Sequence, residues 1–377
     1  MATATSTAGN NRGYNRSITL RELQVPTFYD PSNAWKRWTV PYEERAEQAF
    51  DWAARNNITP AASDTLRVRL MLIDEQITFC LPPDLGGQLY VVGAEADTDR
   101  VAQFIYRNLA HITSITATMD THTSLQIFFA RFWVDAQGKH PPAVTMISRD
   151  DVHTGKWRVN PSVAAKIGWS YDRLAKHVRH YVDELTRKGK FALLIWPIHA
   201  RLGDESHALV STISEAIHVH ECARDTEVDF QIKGGNPLTE FYSVLRPEVM
   251  TTAGGVPIDQ ENVALLNAME ADDVLVFAGQ AKSHCLNFTI DDVMSTAERW
   301  AQNAGVAVGD ILGKIYILED CTSPVIVPGP NGDFTQLANE AFDRYKAAGM
   351  HIVRSTDPME SWPGMQDILA RAAARHP

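Results

Sequence analysis

The sequence predicts an α/β protein: a doubly wound, mainly parallel sheet with helices on both faces. Three observations carry this. Short runs rich in Val, Ile and Leu recur at 66–74, 112–119, 191–196, 228–232, 274–278 and 314–319, with little of the alternation a half-wet strand would show. Between them lie segments with apolar residues at helical spacing, at 42–56, 99–109, 170–189, 206–223, 260–271, 286–300 and 334–348. The two kinds alternate along the chain, as crossover connections of a parallel sheet require.

Taken in order, residues 1 to about 18 are small and polar and read as disordered. They open an N-terminal extension, 1–65, whose helix at 42–56 follows Pro41, a favoured place for proline. Its aromatics (Trp35, Trp38, Phe50, Trp52) predict packing on the main body or on a neighbouring subunit. The strand at 66–74 ends on Asp74; the run at 89–92 follows Gly86–Gly87. The strand at 112–119 leads to Asp120. Residues 170–189 carry both helix-end signals, Ser170 as N-cap and Gly189 as stop. A final strand is expected at 351–354, and 357–377 reads as a helical tail.

The bulk numbers exclude several classes. With 377 residues there is ample length for a large core, and 45% hydrophobic with 21% charged content is ordinary for a globular protein. A net charge of −11 argues against nucleic acid or an anionic membrane as partner. No apolar run reaches the roughly 18 residues of a membrane helix, and the N-terminus lacks a secretory signal's apolar core. Four cysteines without CxxC spacing (Cys80, Cys222, Cys285, Cys321) predict neither a disulfide framework nor a zinc ribbon. A cytoplasmic location is the expectation.

Chemistry concentrates at the predicted strand ends, where open α/β sheets bind ligands. Residues 279–284 are too few for anything but a tight elbow between a strand and a helix, so Cys285 falls in the first helical turn. Free N–H groups and the helix dipole favour a thiolate there, and the same N–H groups could receive an oxyanion. Asp74 and Lys233 end two other strands. A carboxylate can take the thiol proton and an ammonium lowers the thiol pKa, so the three form a coherent set. Asp120, His122 and His199 form a ligand set for a divalent ion, Zn²⁺ first, with Fe²⁺ or Mn²⁺ as alternatives. Each residue alone has a plain structural reading: a turn cap for Asp74, a solvated charge for Lys233, a hydrogen-bonded core histidine for His199, a small buried hydrophobe for Cys285. The remaining histidines and cysteines read as structural, and Gly86–Gly87 and Gly254–Gly255 lack phosphate-loop spacing.

Five stretches together resemble the isochorismatase-like cysteine hydrolases, nicotinamidases most closely: LMLIDEQITFC, ITATMDTH, LLIWPIH, IKGGNPLTEFYSVL and VFAGQAKSHCLNFTIDD. They occur in the family's order over roughly 66–320. The resemblance implies a hydrolase domain at 66–356 with a mainly parallel six-stranded sheet and a long insertion at about 123–190. It implies Asp74 as general base, Lys233 beside it and Cys285 as nucleophile, with the N–H groups of Ala281 and Cys285 as oxyanion hole. It also implies a cis peptide between Gln280 and Ala281, a metal on Asp120, His122 and His199, Phe79 lining the substrate slot, and a dimer or higher oligomer. The sequence departs from the nicotinamidase pattern at Thr121, where an aromatic is usual, at Ala200, usually Cys, and at Gln280–His284, where Lys282 and His284 would add polar groups near the mouth.

The activity expected is hydrolysis of a small-molecule amide through a thioester, with release of ammonia. The alternatives are a carbamoyl or ureido hydrolase, an isochorismatase-type hydrolase, which needs no metal, and a catalytically silent binding protein.

Overall fold

The computed structural model describes residues 18–188, 192–328 and 332–375. The stretch expected to be disordered lies, up to residue 17, outside the described residues, as do Gly189 and Phe191. Six strands form one sheet: β1 (Val68–Ile73), β2 (Ser114–Asp120), β3 (Asp229–Lys233), β4 (Val274–Gly279), β5 (Ile315–Leu318) and β6 (His351–Val353). Their order is β6-β5-β4-β1-β2-β3, and every neighbouring pair is parallel. The order reverses between β1 and β4, which makes their carboxyl ends the topological switch point.

The helices are α1 (Tyr42–Asn56), α2 (Ala94–Asn108), α3 (Tyr171–Arg187), α4 (Ser211–Arg224), α5 (Val263–Ala271), α6 (Cys285–Ala304), α7 (Thr335–Ala348) and α8 (Met365–Ala374), with shorter turns between. The twofold period of the strands sorts side chains between two cores. Leu70, Leu72, Val274 and Val276 pack with α1, α2, α4 and α8; Met71, Ile73, Leu275 and Phe277 pack with α5, α6 and α7. With helices on both faces, β1 and β4 are buried at every position, which explains their unbroken apolar sequences. No helix among the described residues is long and apolar enough to cross a membrane.

The structure differs from the expected elements in instructive places. The run at 191–196 does not join the main sheet: Leu193–Leu194 pairs antiparallel with Met146–Ile147, inside the inserted segment. An apolar run reports burial, not which strand it will pair with. The helix expected from 206 starts at Ser211, because Ala208 and Val210 spend backbone bonds on Ile77 and Glu75. The helix expected from 260 starts at Val263, where the Asn262 side chain accepts from Leu265 N. Residues 89–92 form no strand. The N-terminal extension packs on the body through Tyr29 and Trp52, whose rings meet Tyr106 of α2 at 5.2 and 6.3 Å. The C-terminal helix α8 buries Met365, Ile368, Leu369 and Ala372 in the core.

Candidate active site

Four neighbouring strands aim polar groups at the switch point. Asp74 follows β1 with φ of 47°, a conformation asparagine and aspartate tolerate better than most residues. Its N–H donates to Thr118 Oγ1 (3.0 Å) and its Oδ1 accepts the same hydroxyl (2.5 Å). Thr118 and Asp120 alternate on one face of β2, so the strand that delivers one functional side chain also anchors another. Lys233 ends β3, opposite Asp120 in register. Its buried Nζ lies 2.9 Å from Asp74 Oδ2, 2.9 Å from Asp120 Oδ1, 3.2 Å from the Phe241 carbonyl and 3.5 Å from Cys285 Sγ. One ammonium thus joins both carboxylates and the sulfur.

Cys285 is the first residue of α6, and the peptide between Gln280 and Ala281 is cis. Among the described residues, neither the Ala281 N–H nor the Cys285 N–H donates to another protein group. The elbow is held from behind. Gln280 Nε2 donates to Asp97 Oδ2 (3.1 Å), Gln280 Oε1 accepts from Ser323 N (3.3 Å), and Gln280 N donates to the Ile73 carbonyl (2.7 Å).

Burial is the largest influence on the Cys285 thiol and raises its pKa well above the usual value; Lys233 opposes this, while Asp74 and Asp120 add to it. The thiolate expected from the helix terminus is thus opposed by burial and by the neighbouring carboxylates. Asp74 is itself raised, by burial first and Asp120 further, against the pull of Lys233. Burial tends to lower the Lys233 pKa, but Asp120, Asp74 and Cys285 outweigh it and keep the ammonium charged. Burial would likewise raise Asp120, yet His122 and Lys233 hold it well below the ordinary carboxylate range.

Asp120, His122 and His199 offer ligand atoms that all lie within 4.8 Å of one another, and all three residues are buried. His122 Nδ1 faces the Gly234 carbonyl at 3.1 Å and His199 Nδ1 the Pro197 carbonyl at 2.7 Å. A carbonyl can only accept, so each Nδ1 carries a proton, which leaves each Nε2 as the nitrogen that would present a lone pair to an ion. Those nitrogens face Asp120 Oδ2, at 2.7 and 3.5 Å. With both Nε2 atoms deprotonated, three acceptors would converge on one point, a set that fits a cation. His199 arrives from the loop after the small antiparallel pair rather than from a central strand, which corrects the expectation for 191–196.

The cavity these groups share is lined by Phe79, Leu89, Val91, Phe128, Trp196, Phe241, Tyr242, Val325 and His284, with Gln280 and Ala281 at the elbow. Phe79 meets His199 edge-on at 5.7 Å. Thr121 faces away: its hydroxyl donates to the Met119 carbonyl and meets His207 Nε2 at 2.8 Å. Trp196 and Tyr242 are among the aromatic residues that line the cavity. Lys282 also turns out of the cavity, to Asn339 Oδ1 (2.8 Å) and over the Phe342 ring, so only His284 bears out the expected polar mouth. Burial pushes the His284 pKa down to about 3, so that imidazole is neutral.

Sequence reasoning missed Glu240, a buried acid of the same cavity. Its Oε1 accepts from Trp196 Nε1 (3.0 Å), and burial pushes its pKa up to about 8. It stands in a quoted motif as a lone acid beside apolar residues, and that was the available signal. A wider groove between residues 21–28 and the end of α1 holds none of these groups.

The open doubly wound sheet thus brings a cysteine, a lysine and two aspartates together at its switch point. Solved structures similar to this chain include nicotinamidases and pyrazinamidases. The yeast nicotinamidase bound to the inhibitor nicotinaldehyde is 18% identical over 76% of this chain and 99% of its own, with a TM-score of 0.46. A nicotinamidase/pyrazinamidase of Acinetobacter baumanii is 16% identical over 77% and 97%, TM-score 0.46. The pyrazinamidase of Pyrococcus horikoshii in complex with zinc is 16% identical over 76% and 99%, TM-score 0.39. No protein-family model matches the chain, and no curated protein matches it.

Proposed function

We propose that this protein is a cysteine-dependent amidohydrolase of a small, flat carboxamide of the nicotinamide kind. One observation carries the reading: the Lys233 ammonium contacts Asp74, Asp120 and Cys285 Sγ at once. Asp74 takes the thiol proton as Cys285 attacks the carbonyl carbon, and Lys233 stabilises the sulfur as charge develops on it. The free N–H groups of Ala281 and Cys285 receive the oxyanion; one such donor is worth about 3 kcal/mol in the transition state. Asp74 then returns the proton to the departing nitrogen and ammonia leaves. Water, deprotonated by Asp74, hydrolyses the thioester to the acid and restores the thiol. A divalent ion on Asp120, His122 and His199 would supply a Lewis-acid anchor for a lone pair on the substrate. Phe79, Trp196 and Tyr242 offer rings against which a flat substrate packs. Four free thiols support a cytoplasmic setting.

The test is ammonia release from a panel of aromatic and aliphatic amides by the zinc-loaded protein, with acid-quenched thioester captured by mass spectrometry. Cys285→Ala is expected to lower turnover by at least about a hundredfold while leaving the melting temperature nearly unchanged. Residual activity above that level removes the cysteine from the role of nucleophile.

A further inference from the structure

The elbow carries a polar side chain where packing alone would ask for an apolar one. Gln280 is 1% exposed and is one of the positions where the sequence departs from the nicotinamidase pattern. A buried carboxamide costs free energy unless both its ends are bonded, and here both are. Its Nε2 donates to Asp97 Oδ2 (3.1 Å) and its Oε1 accepts from Ser323 N (3.3 Å). With Gln280 N on the Ile73 carbonyl (2.7 Å), the residue is held at three points. Asp97, in the first turn of α2, is itself buried and braced. Its Oδ1 accepts from Arg100 Nη2 (2.6 Å), and Arg100 Nε donates to the Asp320 carbonyl beyond β5. The chain at 323–325 also grips the next residues of the elbow, through Lys282 N to the Ser323 carbonyl (2.9 Å) and Val325 N to Ser283 Oγ (3.0 Å).

An apolar side chain at 280 would fill the same space without these bonds, so they add little to stability. What a carboxamide bonded at both ends supplies, and a leucine cannot, is direction. The peptide it directs leads to Ala281, whose N–H donates to no protein group among the described residues. On the amidohydrolase reading above, we infer that Gln280 and Asp97 are positioning residues of the reaction: their bond aims the Ala281 N–H at the oxygen of the attacked carbonyl. They act through the backbone and not by touching the substrate. A donor aimed beforehand stabilises the oxyanion without reorganisation, and a small displacement of it costs rate.

The test is a two-by-two cycle on the full zinc-loaded chain. Asp97→Asn sets a donor against Gln280 Nε2, and turning the carboxamide over only moves the conflict to Ser323 N. Gln280→Glu sets an acceptor against Asp97 Oδ2. The double variant Asp97→Asn/Gln280→Glu restores both bonds: the new carboxylate accepts from the new amide and from Ser323 N, and Arg100 keeps its acceptor. Each single variant, and Gln280→Leu, is expected to lower kcat at least about tenfold with KM within about twofold of wild type. The double variant is expected to recover kcat to within about threefold. Gln280→Leu is expected to melt within a few degrees of wild type, which separates direction from packing. Alkylation of Cys285 by iodoacetamide forms no oxyanion and is expected to keep its rate in every variant. Single variants with wild-type kcat overturn the proposal, as does a folded double variant no faster than the singles, or a loss of kcat that follows melting temperature across the set. A wild type inactive on every amide overturns the hydrolase reading and this inference with it; an active wild type with equally active variants overturns this inference alone.

Discussion

Lys233 is the most constrained residue of the site. Its ammonium neutralises two buried carboxylates, so removing it leaves like charges close together in a place water does not reach. Lys233→Met is therefore expected to destabilise the fold by about 3 kcal/mol or more as well as to end turnover, measured by urea unfolding beside the activity assay. The contrast with Cys285→Ala is the informative part. A thiol can be truncated with little loss of packing, whereas a paired charge cannot be deleted without stranding its partners. A Lys233→Met protein as stable as wild type would mean the two aspartates are not held charged by the lysine. The types of these three residues could be read from the sequence at once. Their distances could not, since Asp74 and Cys285 are over two hundred residues apart in the chain.

At the scale of elements, Gly234 shows how a turn serves the ligand set. It follows β3 with φ of +86°, and a Cβ there would stand 2.6 Å from His122 Cε1 and 3.0 Å from Asp120 Oδ1. Its carbonyl also fixes the His122 tautomer. Gly234→Ala is expected to lower bound zinc at least about tenfold, read by elemental analysis after dialysis against a graded chelator, with the sheet intact by circular dichroism. Undiminished zinc would show that His122 is not confined as described. The sequence showed a Gly–Gly pair after Lys233 but no reason for it, because the neighbour that forbids a side chain comes from another strand. Helix positions were legible from periodicity, but their starts were not: α2 begins at Ala94 rather than at 99, and α4 and α5 begin late. Their first turns are given up to backbone and side-chain bonds with segments distant in the chain.

For the whole molecule, pH dependence pits buried bases against buried acids. His220 of α4 is buried with Nε2 on the Ile112 carbonyl at 2.9 Å, and burial pushes its pKa down to about 4. The unfolded chain, with histidine near 6.5, then binds more protons than the folded one between about pH 6.5 and 4. Stability from this group is full above that window and falls as pH drops through it, by roughly 3 kcal/mol. Glu75, raised by burial to about 8, acts oppositely: it binds more protons when folded, so its contribution declines as pH rises through about 4.5 to 8. Raw stability curves therefore mix the two. The expected result is that His220→Gln flattens the loss between pH 6.5 and 4 relative to wild type in urea titrations. An unchanged slope would place the proton uptake elsewhere.

The sequence by itself determined the parallel α/β plan and pointed to the cysteine at its elbow and the histidine–aspartate group as candidates, because hydrophobic period and strand-end polarity are local properties. Only the tertiary structure decided that residues 193–194 leave the central sheet, that Lys282 and Thr121 face away from the cavity, that Glu240 faces into it, and that burial works against a thiolate at Cys285. Each of these depends on which distant groups come within a few ångströms, and therefore on desolvation and charge at that spot, which no local pattern encodes.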